Sequence, residues 1–417
     1  MTPDPYWPSP WPAEDGGARR LQRAAGSALG AGPLVATFRE ALVTTMVVLR
    51  SPDEVLALRH TPGPDAVAWV ERIDPITLAP ILRSDDLPAG PVWPGGLAAH
   101  ADGAIHTVFG RHAHRLGADL RVESTCELPV DRPYNSFVVL KDGHLVTKEF
   151  GGVLPGEDPA SAGHRTTGVI VLDPVSLRVV ATATLPEASI ARLSCDGDTI
   201  IVVGTESVFA VHWDGTALDA TQPPLARYRT LEGQTYGWDP VIALGAVWFL
   251  DNGFGSERYT GTFRGAGTHT TPMHIVRVDL ATREVGYTEV CGLPGSVVAN
   301  PPLVDVERRI VVGFDSGNGV LAAFDIDASG RLAQRWRHEQ NHGAHLCLLD
   351  GGALISADHD ASRMMDQLVV RDISTGEERG RVDTGSAFQS VLFSSPGWHE
   401  DLYYCSFLGI SRISGAG

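Results

Sequence analysis

Cysteine is scarce in this chain and never clustered: five in 417 residues, at Cys126, Cys195, Cys291, Cys347 and Cys405. No two form a CxxC pair, which excludes a zinc knuckle or a dithiol redox motif. An odd, scattered set reads instead as reduced thiols buried in the strands of a cytoplasmic protein. Long apolar runs are also missing. Nothing approaches the roughly 18 residues that a bilayer span needs, so no membrane is expected. Positive charge is short as well, with 33 Lys and Arg against 50 Asp and Glu and a net charge of −17. That sign repels phosphate backbones and no basic stripe offsets it, so nucleic acid is not an expected partner. The HExxH, GxSxG and Walker signatures are absent, as is GxGxxG in a strand–helix setting.

Turn formers are plentiful, with 46 glycines and 28 prolines spread along the chain. Before Val35 stand Trp7, Trp11 and several prolines, which predict an extended N-terminal arm over 1–33; residues 18–30 are compatible with a short helix. Arg19-Arg20 resembles the start of a twin-arginine export signal, but the stretch after it is too glycine-rich and too weakly apolar to act as one. From Val43 onward one pattern recurs. An apolar strand, a turn and a second apolar strand lead through a longer loop to a strand ending in Asp, then to a polar strand. The clearest copy reads NSFVVL, KDG, HLVTKEF, then GVIVLDPVSL and RVVATATL.

Continuous β-branched runs suit strands covered on both faces, and Asp-x-x-Ser/Thr and Asp-Gly turns suit hairpins. Spacing places blades near 43–90, 91–130, 134–187, 188–237, 238–295, 296–341 and 342–386. The last segment, 387–414, is one strand short, and LVATFR at 34–39 can supply it. The expectation is an all-β β-propeller of eight four-stranded blades, with seven as the runner-up. The N-terminal strand closes the ring onto the C-terminal blade, and 34–417 forms one domain.

The turns after Asp279, Asp325 and Asp372, best seen in RDISTGE at 371–377, resemble the repeat of the quinoprotein alcohol dehydrogenase-like eight-bladed propellers. That resemblance implies a PQQ-repeat-like fold and, as one functional alternative, a quinone-dependent oxidoreductase. The repeat-ending tryptophan of that family has a counterpart only at Trp336, and no adjacent cysteine pair stands in the chain.

In a propeller, residues before each first strand and after each second strand converge on one mouth of the central channel. Here those positions carry Tyr134, Asn135, Trp238, Asp239, Asn300, His342, His345 and Gln389, and Lys148, Glu149, Asp251, Asn252, Asp315, Asp358, His359 and Asp360. Asp and Asn also serve as plain turn residues. As a set, though, they suit a site where loops vary over a rigid ring. Glu149, His345, Asp358 and His359 are the candidate acid–base residues, because carboxylates beside imidazoles can move protons near neutral pH.

Two insertions, 151–165 and 251–272, fall on the same face. The second carries Phe254, Tyr259 and Arg264 and reads as a lid. With these, Tyr134, Lys148, Trp238, Asp251, Asn252 and Gln389 are candidate substrate-binding residues. Asn135, Asp239 and Asn300 offer the oxygen ligands that calcium takes. The leading expectation is a small-molecule enzyme at the channel mouth, a lactonase-like hydrolase or a lyase/isomerase, acting as a monomer or small homo-oligomer. The alternative is a non-catalytic ligand-binding or protein-interaction propeller.

Overall fold

The computed structural model describes residues 4–63, 65–90, 95–154, 157, 165–220 and 223–416. Most of the insertion 151–165 therefore lies outside the described residues. Among the described residues eight sheets follow one another in chain order, each built on four antiparallel strands from inner to outer, and three carry a short fifth strand. Their inner strands are Thr44–Leu49, Gly96–Ala99, Val138–Val139, Ser194–Asp196, Val241–Ala243, Leu303–Asp305, Cys347–Leu349 and Ser394–Pro396, and define blades 1 to 8. In blade 8 the outermost strand is Leu34–Glu40, antiparallel to Gly409–Gly415 from Leu34 opposite Gly415 to Glu40 opposite Gly409. The first strand after the arm thus closes the ring on the last one.

Burial follows the pattern that placed the strands. Thr44–Leu49 and Val55–His60 are buried along their whole length, sandwiched between neighbouring blades. The outer strand Val179–Leu185 is exposed or half-buried at every residue before the buried Leu185. The aspartate turns are built alike. Asp74, Asp173, Asp279 and Asp372 each accept backbone N–H bonds two and three residues on. The fifth residue of each turn, Leu78, Leu177, Arg283 or Gly376, takes a positive φ of 57–76°. Only the last copy places there the residue that adopts this conformation without strain.

The arm is not a peripheral tail. Residues 18–30 form no helix; Arg23–Ala24 pairs in parallel with Leu348 and Leu349 of blade 7. The helix is lost because the inner strands compete for the arm's backbone groups. Leu49, Ala99, Cys195, Ile242 and Leu348 donate their N–H groups to the carbonyls of Trp11, Pro12, Ala18, Arg19 and Gln22. These contacts lie where the inner strands end, so the arm crosses the end of the channel opposite the expected mouth. Trp11, Ala13, Glu14, Asp15, Arg20, Gln22 and Ala24 are all buried there. Among the described residues no helix is long and apolar enough to cross a membrane.

Candidate functional site

From the arm, three charged side chains rise into the channel. Arg20 donates to Asp15 at 3.1 Å, to Glu14 at 2.9 Å and to the Ser136 hydroxyl at 2.7 Å. Above it Arg192 donates to the Asn135 carbonyl at 3.0 Å and to Asp239 at 3.3 Å, with its guanidinium 5.0 Å from the centre of the Phe393 ring. His345 Nδ1 lies 2.8 Å from Asp15 Oδ1, and the imidazole stacks on Phe393 at 3.8 Å. Full burial drives the Glu14 carboxyl up, whereas His345 and Arg20 outweigh the same burial at Asp15 and hold it down. Lys148, equally buried, donates to the Ser189 and Glu149 carbonyls, and desolvation pushes its amine down to about 7. Buried charges of both signs, each hydrogen-bonded, are what a dry channel requires.

One face of this network could hold a cation. Ligand atoms of Asp15, Asp239 and His345 lie within 4.8 Å of one another. His345 Nε2 and Asn135 Oδ1 have no hydrogen-bond partner. Asp239 and Asn135 belong to the expected calcium set. Asn300 is turned otherwise, its amide nitrogen donating to the Gly343 and Val391 carbonyls at 2.6 and 3.0 Å.

The expected acid–base residues each have different partners. Glu149 accepts from the Gly168 N–H at 2.7 Å. His345 is engaged with the arm. Asp358 accepts from the Asn341 N–H and from Arg381 at 2.7 Å. His359 points to the other side of the same strand. Its Nδ1 stands 3.8 Å from Asp366 Oδ1, and neither atom has a partner. Asp366 is fully buried, bonded through Oδ2 to Tyr404 at 2.6 Å and Ser390 at 2.9 Å, and burial raises its carboxyl to about 7. Asp366 is the second residue of a third strand and bears no motif, so no sequence signal singles it out. The axial residues Glu14, Asp15 and Arg20 escaped for a different reason: they precede the repeat.

The substrate-binding candidates divide between the mouth and its framework. Tyr134 is buried, accepting from the Val130 N–H. Trp238 is buried beside Tyr236. Asp251 bonds His274 at 2.9 Å and Gln234 at 2.8 Å, and against the cost of burial it raises the His274 imidazole. Asn252, at φ 57°, closes the base of the insertion by donating to the Pro272 carbonyl and Ser296. The insertion then reaches across to other blades. Arg264 pairs with Glu339 of blade 6 at 3.0 Å. Tyr259 donates to the Gln389 carbonyl at 2.5 Å, and the Gln389 side chain accepts from the Phe263 N–H at 2.7 Å. Gln389 also donates to Asn341, so it ties the insertion to the connections that lead into blades 7 and 8.

Beside this strap, between blades 3, 4 and 5, opens a cleft of about 280 Å³. Its walls are Phe150, Ile190, Tyr236 and Phe254, with Gly151–Val153 from the start of one insertion and Ser256 and Glu257 from the other. Glu206 and Arg229 supply further charge.

No protein-family model matches the chain, and no curated protein matches it in sequence. The chain resembles solved structures. The quinohemoprotein alcohol dehydrogenase from Comamonas testosteroni superposes with a TM-score of 0.62 at 10% identity, over 98% of this chain and 81% of that one. A europium-containing methanol dehydrogenase gives 0.60 at 10% identity, over 95% and 89% of the two chains. The computationally designed Ika8 protein gives 0.58 at 11% identity, over 94% and 100%. The likeness is one of fold alone.

The axis is taken up by Glu14, Asp15 and Asp239 paired with the cations Arg20 and Arg192. All five cysteines are free thiols. Fold carries no reaction with it.

Proposed function

We propose that this propeller binds a small organic molecule in the cleft between blades 3, 4 and 5. One observation carries the reading: two insertions about a hundred residues apart in sequence wall the same aromatic cleft. Apolar walls with a few charged groups are the usual make-up of a small-ligand seat, and this volume suits a compact ligand. Phe150, Tyr236 and Phe254 would pack on its apolar body, while Arg229 or the carboxylates of Glu206 and Glu257 would orient a polar end. A thermal-shift screen of small organic acids, amines and zwitterions tests this on the full chain. A hit should be lost in Thr205→Trp, which fills the cleft, and weakened about tenfold in Phe254→Ala, with the melting temperature of the free protein unchanged. A hit that ignores both substitutions binds elsewhere and sinks the proposal.

A second reading keeps chemistry at the mouth. His359 and Asp366 face each other with unpartnered atoms, and a carboxyl with a pKa about 7 can exchange a proton at working pH. Any turnover of a small molecule bound at the mouth beside blade 7, by hydrolysis or proton transfer, should then fall at least 100-fold in Asp366→Asn, with affinity retained. Equal turnover in that variant removes this dyad from the mechanism.

A further inference from the structure

The hairpin joining the inner and second strands of blade 2 lies at the arm end of the channel, away from the cleft. His100 Nε2 lies 3.0 Å from the Gly143 carbonyl. A carbonyl only accepts, so that nitrogen carries the proton. The Asp102 N–H donates to His100 Nδ1 at 3.2 Å, so Nδ1 bears a lone pair. Yet Nδ1 also lies 2.8 Å from Asp102 Oδ1. Two lone-pair atoms at that distance repel unless a proton or a metal ion lies between them, and a proton on Nδ1 would oppose the Asp102 N–H that points at the same atom.

A third donor stands beside them. His106 is fully buried, neither ring nitrogen has a partner, and its ring meets His100 edge-on with centroids 5.4 Å apart. Donor atoms of His100, Asp102 and His106 all lie within 4.8 Å of one another.

We propose that His100, Asp102 and His106 form a binding site for a divalent transition-metal ion, zinc foremost. Two imidazoles and a carboxylate are a borderline-soft donor set that suits zinc better than calcium or magnesium. The outer partners of a metal site are present as well. The Gly143 carbonyl fixes the His100 tautomer, and Arg115 holds the other Asp102 oxygen at 2.7 Å. Asp102 is partly exposed, which gives the ion a way in and leaves a position for water. His100 also bridges to Tyr6 of the arm, so a bound ion would fasten the arm to blade 2.

Cobalt(II) titration of the chelator-stripped full chain tests this, with zinc as competitor. The expected result is one cobalt per chain, visible d–d bands from a nitrogen-containing low-symmetry site, displacement by zinc, and a higher melting temperature. Affinity should fall at least tenfold in Asp102→Asn and in His106→Gln. Should His106→Gln fail to fold, Asp102→Asn decides, because Asn still accepts the Ala104 N–H bond. No stoichiometric cobalt in the native chain, or undiminished affinity in Asp102→Asn, overturns the site. The second result would place the ion elsewhere, for instance at Asp15, Asp239 and His345.

Discussion

The two ends of the channel are closed by different chemistry. At one end the N-terminal arm lies in backbone contact with inner strands, and its side chains are sealed from water among buried charges. At the other the 251–272 insertion meets distant blades through Gln389, through single backbone bonds such as the Gly265 N–H to the Gly317 carbonyl, and through an exposed ion pair, Arg264 with Glu339. Backbone pairing and buried ion pairs break only when the surroundings unfold. A few isolated bonds at a rim can break alone. The arm is therefore part of the fold, while the insertion is expected to open with less disturbance of the ring.

Removing a charge from the arm end should have the largest effect. Arg20→Ala leaves the buried Glu14 and Asp15 with only Arg192 and His345 as charged partners, and we expect a loss of about 3 kcal/mol in denaturant unfolding. A loss under about 1 kcal/mol would mean that the arm is a loose plug and would erase the contrast.

The lid end should respond to pH instead. Asp366 has a folded pKa of about 7, raised by burial above its ordinary value. Between about pH 4 and 7 the folded state then binds more protons than the unfolded one, so stability falls as pH rises through that window. Asp366→Asn should flatten this slope and stabilise the chain at pH 8 by on the order of 2 kcal/mol. An unchanged pH–stability curve would show that Asp366 is already ionised at low pH, with water admitted beneath the lid. Lys148 works in the opposite sense: its pKa of about 7 makes stability rise with pH above 7. The slope is therefore best read below that value.

The ring was legible because repetition multiplies weak signals. A single Asp-x-x-Ser/Thr turn says little, but Asp74, Asp173, Asp279 and Asp372 recur after comparable apolar runs, and each forms the same hydrogen-bonded turn. The closing strand was legible because blade 8 lacked one. The channel's contents were not, because the arm that fills it has no repeat against which to compare it. Arg20 in sequence is one of two adjacent arginines; only the fold separates it from Arg19, which pairs with Asp196 at the surface. At the mouth, sequence placed polar residues near the axis but could not show their partners. Asp358 and His359 are neighbours in the chain, yet as strand residues they face opposite sides, one to Arg381 and the other to Asp366.

The smallest expected effect on stability sharpens the comparison most. Gln389 joins the insertion to the ring by accepting from Phe263 and Tyr259 and by donating its own N–H to the Gly261 carbonyl at 2.8 Å. Gln389→Ala removes only the side-chain share of this latch. It should cost the global fold about 1 kcal/mol, because once the side-chain bonds to Thr262, Phe263 and Asn341 are gone the insertion opens locally and the loss is capped at its small closing energy. Amide exchange within 253–266 should nonetheless accelerate at least tenfold, while exchange along Trp11–Ala24 stays unchanged. If both segments accelerate together, the two closures are coupled through the axial charges, and the lid is as much a part of the fold as the arm.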